Sequence, residues 1–213
     1  MIIRILIVDD HPVVRQGLAA TLAKSSDIKI VGEASDGDEA LAKARSLKPD
    51  LILLDIALPG KNGLEVLKQL RAELPGIHVL ILSAFPERQY AVRCLASGAQ
   101  GYLTKQSAPE ELMRAVRKVM GGGKYVSASL AYLLAKEIGT DTTRLLHEQL
   151  SDREFQVLCL LGQGKTVSQI ADILSLSLST INTHRAHILE KMNLETTAQL
   201  IRYVVDNNLQ ESS

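Results

Sequence analysis

The chain has 213 residues, enough for one large domain or two small ones, and its 46% hydrophobic and 23% charged residues are ordinary values for a soluble globular protein. The formal net charge is zero, and aromatic residues make up only 3% with no Trp, which argues against a stacking platform for single-stranded bases. No apolar run approaches the roughly 20 residues of a membrane span, and Asp9 and Asp10 interrupt the apolar start too early for a signal peptide. A cytoplasmic protein is therefore expected.

The first 120 residues alternate between short apolar segments and helical patterns. Asp36, followed by Glu39, is a predicted helix N-cap, and Ser107 with Glu110 is a predicted capping box for the last helix of this part. The alternation predicts an α/β domain with a doubly wound parallel sheet and helices on both faces. Its five predicted strands are residues 5–8, 28–34, 50–55, 78–83 and 101–105.

Strand patterns stop after the three glycines at 121–123. Residues 126–138 are predicted to form one helix and residues 139–149 a polar connector. From Ser151, which forms a predicted capping box with Glu154, only helical patterns follow. The predicted organisation is an α/β domain at 1–120, a helical and polar linker at 121–149, and a small all-α domain of four helices at 150–213.

Polar side chains follow the carboxyl ends of four predicted strands: Asp9 with Asp10, then Asp55, Ser83 and Lys105. Ligands of doubly wound sheets bind at this edge. Carboxylates suit Mg²⁺, and a carboxylate beside the metal can attack a phosphoryl group while a lysine neutralises the transferring oxygens. Asp55, alone after the middle strand, is the candidate nucleophile. Each residue also has a plainer interpretation, with Asp10 as a helix N-cap, Lys105 as a surface lysine and Ser83 as a turn residue, but their joint occurrence favours a site.

The segments ILIVDDHPVVRQGL, PDLILLDIALPGKNGLEVL, VLILSA and GAQGYLTK resemble the receiver domain of two-component response regulators. The resemblance implies a flavodoxin-like strand order 2-1-3-4-5. It also implies that Asp55 is the phosphoacceptor, Ser83 the switch hydroxyl, Tyr102 the switch aromatic and Lys105 the phosphate lysine. Phosphorylated Asp55 is expected to draw in Ser83 and Lys105, which frees space for Tyr102 to turn inward. The face from Pro86 to Lys118 is expected to be remodelled, and receivers typically pair there.

The same resemblance implies a Mg²⁺ site. The metal is expected to be held by Asp10, by Asp55 and by the main-chain carbonyl of Ala57, with Asp9 completing the acidic pair. A phosphatase of the haloacid dehalogenase type would also use an aspartyl phosphate. That class needs a second Asp two residues after the nucleophile, where this chain has Ala57.

Residues 168–192 contain two helical segments separated by a short turn, as in a helix-turn-helix, with Ser177 as the predicted N-cap of the second helix. On that helix one stripe is predicted to pack inward: Ile181, His184, Ile188 and Met192. The opposite stripe is predicted to face outward and to suit the major groove, where Asn pairs with adenine and a Thr or Ala methyl contacts thymine: Ser179, Asn182, Thr183 and Ala186.

Charge does not favour nucleic-acid binding, because five Lys and Arg stand against eight Asp and Glu from Leu145 onward. A plain surface helix in a small bundle is therefore an alternative for the second half. A single copy is expected to bind DNA weakly, so pairing of two copies is expected, with apolar residues of the last helix as a possible dimer surface. Candidate phosphate contacts are Lys165, Thr166, Arg185 and Lys191.

Residues 150–194 resemble the LuxR-type helix-turn-helix, and with the receiver they resemble response regulators of the NarL/FixJ type. Asn182 departs from a common lysine of that family. The resemblance implies a transcription regulator that is not an enzyme beyond its own phosphorylation and dephosphorylation. A histidine kinase, double-stranded DNA and a second copy of the chain are its implied partners. Two alternatives are a receiver whose output is protein interaction without DNA binding and a regulator that works without phosphorylation. Family positions are matched by Glu154, Gly164, Ile170, Ala171, Thr180, His184 and Lys191.

Overall fold

The computed structural model describes residues 2–128, 130–132, 145–207 and 209. The chain divides into two compact units, Met1–Leu133 and Leu134–Ser213. Within the described residues, no helix combines the length and apolar character needed to cross a membrane.

The first unit is built on a five-stranded sheet whose neighbouring strands all pair in parallel, in the order β2-β1-β3-β4-β5. This result confirms the predicted fold class and strand order. The strands are β1 (Ile3–Val8), β2 (Ile28–Ala34), β3 (Leu51–Leu54), β4 (His78–Ser83) and β5 (Gly101–Thr104). The helices are α1 (Pro12–Leu22), α2 (Gly37–Leu47), α3 (Gly63–Glu73), α4 (Glu87–Ala96) and α5 (Pro109–Met120).

The inner strands are buried on both faces, which explains their nearly continuous apolar sequences. Ile5 and Ile7 of β1 belong to a core cluster that includes Leu22 of α1 and Val116 of α5. The alternate residue Leu6 points to the opposite face, because successive strand side chains alternate, and it is fully buried as well. Polar side chains are therefore left to the strand ends.

The helix starts follow the predicted capping with two corrections. Asp36 accepts a hydrogen bond from the N–H of Glu39, as predicted. The predicted capping box at Ser107 is wrong: α5 has Ala108 as its N-cap, without a side-chain hydrogen bond. Pro109 explains the shift, because a proline lacks an N–H and is favoured at the first helical position. Asp10 is not a helix N-cap either, since His11 occupies that position before α1.

The described part of the predicted linker contains a short bridge and helical residues. Tyr125 pairs with Gly101 in an isolated parallel bridge, and residues 128 and 130–132 are helical. Residues 126 and 127 are not helical, so the helix starts later than predicted at 126–138, and residues 129 and 133–138 lie outside the described residues. The same is true of residues 139–144 of the connector predicted at 139–149. The end of that connector forms a 3₁₀ helix, Leu146–Gln149.

The described residues of the second unit form four α-helices, as predicted. Ser151 and Glu154 form the predicted capping box, and Ser177 accepts the N–H of Thr180 as the predicted N-cap. Ser175 has a left-handed backbone conformation, with φ of 52°, in the turn between the second and third of these helices. The four helices are α6 (Asp152–Gly162), α7 (Val167–Leu174), α8 (Leu178–Lys191) and α9 (Thr197–Asp206).

Candidate functional site

Backbone pairing brings the residues that follow β1, β3 and β5 to the same edge of the sheet. The N–H of Asp9 donates to the carbonyl of Ala34, and the N–H of Asp55 donates to the carbonyl of Val8. The N–H of Lys105 likewise donates to the carbonyl of Ser83. The backbone hydrogen bonds of the sheet therefore continue one residue beyond the carboxyl ends of β1, β3 and β5, which fixes the backbone positions of Asp9, Asp55 and Lys105.

Lys105 joins two of the carboxylates. Its Nζ lies 2.7 Å from Asp9 Oδ2 and 2.7 Å from Asp55 Oδ2. The two carboxylates are almost completely buried, with side-chain exposures of 2% and 1%. Burial raises the pKa of Asp55, and the charge and hydrogen bond of Lys105 oppose that rise. Burial lowers the pKa of Lys105, but Asp55 and Asp9 raise it by more, so the ammonium stays charged.

The acidic pair extends the same cluster. Asp9, Asp10, His11 and Asp55 each place one ligand atom within 4.8 Å of the others. Asp10 Oδ1 is buried, and His11 Nδ1 lies 2.6 Å from it. Carboxylates so close together each disfavour the charged form of the others unless a cation neutralises them. The donor set, with three carboxylates, therefore fits a hard divalent cation.

Ala57 and Gly63 shape the backbone around Asp55. The N–H of Ala57 donates to Asp55 Oδ1 at 3.3 Å, which helps to fix the orientation of this carboxylate. The Cα of Gly63 lies so close that an added Cβ would stand 2.1 Å from the carbonyl oxygen of Asp55. Neither the Gly63 contact nor the position of His11 was predicted from the sequence. The position of His11 directly after Asp9 and Asp10 in the sequence was the feature that could have placed it in the acidic cluster.

The predicted switch residues Ser83 and Tyr102 both form a hydrogen bond with the backbone of Phe85. Ser83 is fully buried, and its Oγ accepts the N–H of Phe85 at 3.2 Å. Tyr102 is also fully buried, and its hydroxyl donates to the carbonyl of Phe85 at 2.7 Å. Burial raises the pKa of Tyr102 well above its usual value, so the phenol keeps its proton. The ring of Tyr102 is buried in this arrangement, and its movement on phosphorylation of Asp55 stays a prediction.

In the second unit, α8 has the two predicted faces. Ile181, Ile188 and Met192 are buried, and His184 is half-buried. The predicted outward stripe of Ser179, Asn182, Thr183 and Ala186 is exposed, whereas Thr180 is half-buried. Two polar side chains of this outward stripe form hydrogen bonds within α8. Asn182 Nδ2 donates to the carbonyl of Leu178, and Thr183 Oγ1 donates to the carbonyl of Ser179.

The predicted phosphate contacts are in three different environments. Lys165 and Thr166 are exposed at the start of α7, where the Thr166 hydroxyl caps the helix, and Arg185 is half-buried. Lys191, at the end of α8, instead pairs with Glu154, with 2.9 Å to Oε1 and 2.7 Å to Oε2. Because the Glu154 carboxylate is only 4% exposed, this lysine has a structural partner within the unit.

Comparisons with known proteins agree with this geometry. Residues 5–117 match the family model for the response regulator receiver domain, and residues 148–204 match that for bacterial regulatory proteins of the luxR family. The chain is 36% identical over 212 residues to the response regulator GacA of Pseudomonas viridiflava, with 99% of each chain covered. It is 34% identical over 209 residues to the response regulator protein VraR of Staphylococcus aureus, with 98% of this chain and 99% of that protein covered.

A solved structure of RcsB from Salmonella enterica serovar Typhimurium is similar along nearly the whole chain. That protein is bound to a promoter in the presence of the phosphomimetic BeF3⁻. It is 26% identical, with a TM-score of 0.60, and the match covers 95% of this chain and 97% of that one.

Proposed function

Because this chain belongs to the response regulators that join a receiver domain to a LuxR-type DNA-binding domain, we propose that a phosphoryl group on Asp55 controls its binding to promoters. A histidine kinase supplies that group in the cytoplasm. The proposed boundaries are the receiver at 1–120, a linker at 121–149 and the DNA-binding domain at 150–213.

Asp55 is the proposed nucleophile. One of its carboxylate oxygens attacks the phosphorus of a phosphohistidine, the P–N bond breaks, and the leaving imidazole takes up a proton. Lys105 is already 2.7 Å from Asp55 Oδ2, so its ammonium neutralises charge on the transferring oxygens without a large movement. The chain promotes only this transfer and the later hydrolysis of the Asp55 acyl phosphate to carboxylate and phosphate.

The residues that would hold Mg²⁺ are Asp10, Asp55 and the carbonyl of Ala57, with Asp9 beside them. The fit is supported by the clustering of Asp9, Asp10 and Asp55, whose ligand atoms lie within 4.8 Å of one another together with that of His11. Bound Mg²⁺ supplies charge neutralisation for the phosphoryl oxygens. Asp9 also contacts Lys105, through Oδ2 at 2.7 Å, and accepts the N–H of His11 with Oδ1.

The proposed switch acts on the loop after β4 through the Ser83 hydroxyl. Phosphoryl oxygens would accept hydrogen bonds from Lys105 and from the Ser83 hydroxyl, and these bonds hold the loop after β4. Tyr102 is buried and donates to the carbonyl of Phe85 in that loop, so fixing the loop also fixes this hydrogen bond.

The proposed output is DNA binding by a homodimer. The second unit carries few cations, so one copy would release few counterions and bind weakly. Ile201 and Val205 of α9 are 36% and 42% exposed, and they offer apolar surface to a second copy. The proposed contacts to bases and phosphates are Ser179, Thr180, Asn182, Thr183, Ala186, Lys165, Thr166, Arg185 and Lys191, the last after release from Glu154.

The observation that carries the proposal is the convergence of Lys105 on the buried carboxylates of Asp9 and Asp55. Its test is selection from random-sequence DNA duplexes with phosphorylated wild-type protein and with Asp55→Ala. Enrichment of a common sequence is expected for the phosphorylated protein, and also for the control Asp38→Ala, whose side chain is 82% exposed. Absence of enrichment for every protein would contradict DNA binding and favour a protein-interaction output.

A further inference from the structure

The residues that follow α5 attach to the outer edge of the sheet. We define residues 124–128 and 130–132 as the connecting segment. The N–H of Tyr125 donates to the carbonyl of Gln100 at 2.8 Å, and Tyr125 pairs with Gly101 at the start of β5. Its hydroxyl donates to Glu111 Oε1 on α5 at 2.9 Å. These contacts seat the beginning of the connecting segment on β5 and α5.

Two residues further on, Ser127 links the connecting segment to α4. Its Oγ donates to Glu87 Oε2 at 2.5 Å and accepts the N–H of Leu130 at 3.0 Å. The carbonyl of Ser127 accepts the N–H of Ala131, and Leu130 is fully buried. Ser127 therefore starts the helical part of the connecting segment while it is bonded to the first residue of α4.

Glu87 is separated from the switch hydroxyl by one short loop, residues 84–86. In that loop Phe85 is held at both polar groups, because its N–H donates to Ser83 Oγ and its carbonyl accepts the Tyr102 hydroxyl. Pro86 then leads directly into Glu87 with a restricted φ. A change in the position of Ser83 is therefore expected to move Glu87, because few freely rotating bonds lie between them.

We infer that Glu87 and Ser127 are positioning residues that transmit the state of the loop after β4 to the connecting segment. The inference rests on the proposed phosphorylation of Asp55. A phosphoryl group that fixes Ser83 also fixes Glu87, and the Glu87–Ser127 hydrogen bond then holds the first turn of the connecting segment. The pair acts through Ser83 and makes no contact with the phosphoryl group itself.

Hydrogen exchange of the full chain, followed by mass spectrometry with and without Mg²⁺ and beryllium fluoride, tests this inference. In wild-type protein, beryllium fluoride is expected to slow exchange about fivefold in a peptide spanning residues 124–132, because one hydrogen bond of ordinary strength is stabilised. Glu87→Ala is expected to lose this protection, whereas Glu87→Gln keeps an acceptor for Ser127 and is expected to retain it. Tyr125→Phe is the control, since it removes the bond to Glu111 and leaves Glu87 and Ser127 intact.

Protection in Glu87→Ala equal to that of wild type would overturn the inference. The inference would also be overturned if beryllium fluoride slowed exchange in the wild-type peptide over residues 83–90 but left exchange in the connecting segment unchanged. If no wild-type peptide responds to beryllium fluoride, the proposed phosphoacceptor site fails, and this result is separate from a failure of transmission.

Discussion

Gly63→Ala tests how closely the backbone of Asp55 is placed by its surroundings. The new Cβ would lie 2.1 Å from the carbonyl oxygen of Asp55 and 2.7 Å from the Cα of Ile56, whereas real Cβ contacts essentially never fall below 3.0 Å. Both obstacles are backbone atoms, so either Asp55 or the start of α3 must move by about 1 Å. A misplacement of about 1 Å in a reacting group can cost about 100-fold in rate.

We therefore expect Gly63→Ala to be phosphorylated about 100-fold more slowly by a small acyl phosphate with Mg²⁺, measured on gels that retard the phosphorylated chain. Its free energy of unfolding should also fall by about 1–3 kcal/mol. Gly17→Ala in α1 is the matched control, because its Cβ meets no atom within 4 Å. That variant should react at the wild-type rate and gain about 0.5–1 kcal/mol from reduced backbone freedom. Wild-type kinetics in Gly63→Ala would refute the reasoning.

Lys191→Met removes the lysine partner of the buried Glu154 carboxylate, so the second unit should lose about 1–3 kcal/mol at neutral pH, measured by urea denaturation. Burial raises the pKa of Glu154, but the hydrogen bonds from Lys191 and Ser151 outweigh it and hold this pKa below its ordinary 4.5. The wild-type protein should therefore lose the stability contributed by the ion pair as the pH falls below 4.5. The stability of Lys191→Met should depend less on pH in this range. Asp10→Asn should weaken Mg²⁺-dependent phosphorylation at least tenfold at limiting Mg²⁺, and a chelator should abolish it in wild type; equal rates with and without chelator would contradict a metal site. Asn182→Ala should change the DNA sequence that is selected and cost about 1–3 kcal/mol of binding free energy on the wild-type site. Arg185→Ala should weaken binding to all sequences and reduce the slope of log affinity against log salt by about one. The opposite pattern would reverse the assignment of Asn182 to bases and Arg185 to phosphates.

The sheet and the polar residues at its edge could be predicted because both depend on local patterns. Buried parallel strands have nearly continuous apolar sequences, and the strands at 28–34 and 78–83 have the predicted bounds. Because the carboxyl ends of parallel strands share one edge, the meeting of Asp9, Asp55 and Lys105 followed from the strand ends.

Contacts between residues distant in sequence were not predictable in the same way. Glu154 was predicted as a capping residue, but its pairing with Lys191 depends on how α6 packs against α8. The Glu87–Ser127 bond joins residues forty positions apart, and neither has a sequence pattern that indicates it. The hydrogen bond from Tyr102 to Phe85 joins β5 to the loop after β4, and no motif in the sequence indicates it.

The central claim is that Asp55 is a Mg²⁺-dependent phosphoacceptor within the pocket of Asp9, Asp10 and Lys105. Borohydride reduction of the acyl phosphate, followed by peptide mass spectrometry, identifies the modified carboxylate after reaction with a small acyl phosphate. The label is expected on Asp55, only when Mg²⁺ is present, and not in Asp55→Asn. A label on another residue, or an equal yield on Asp55 in the presence of a chelator, would contradict the account.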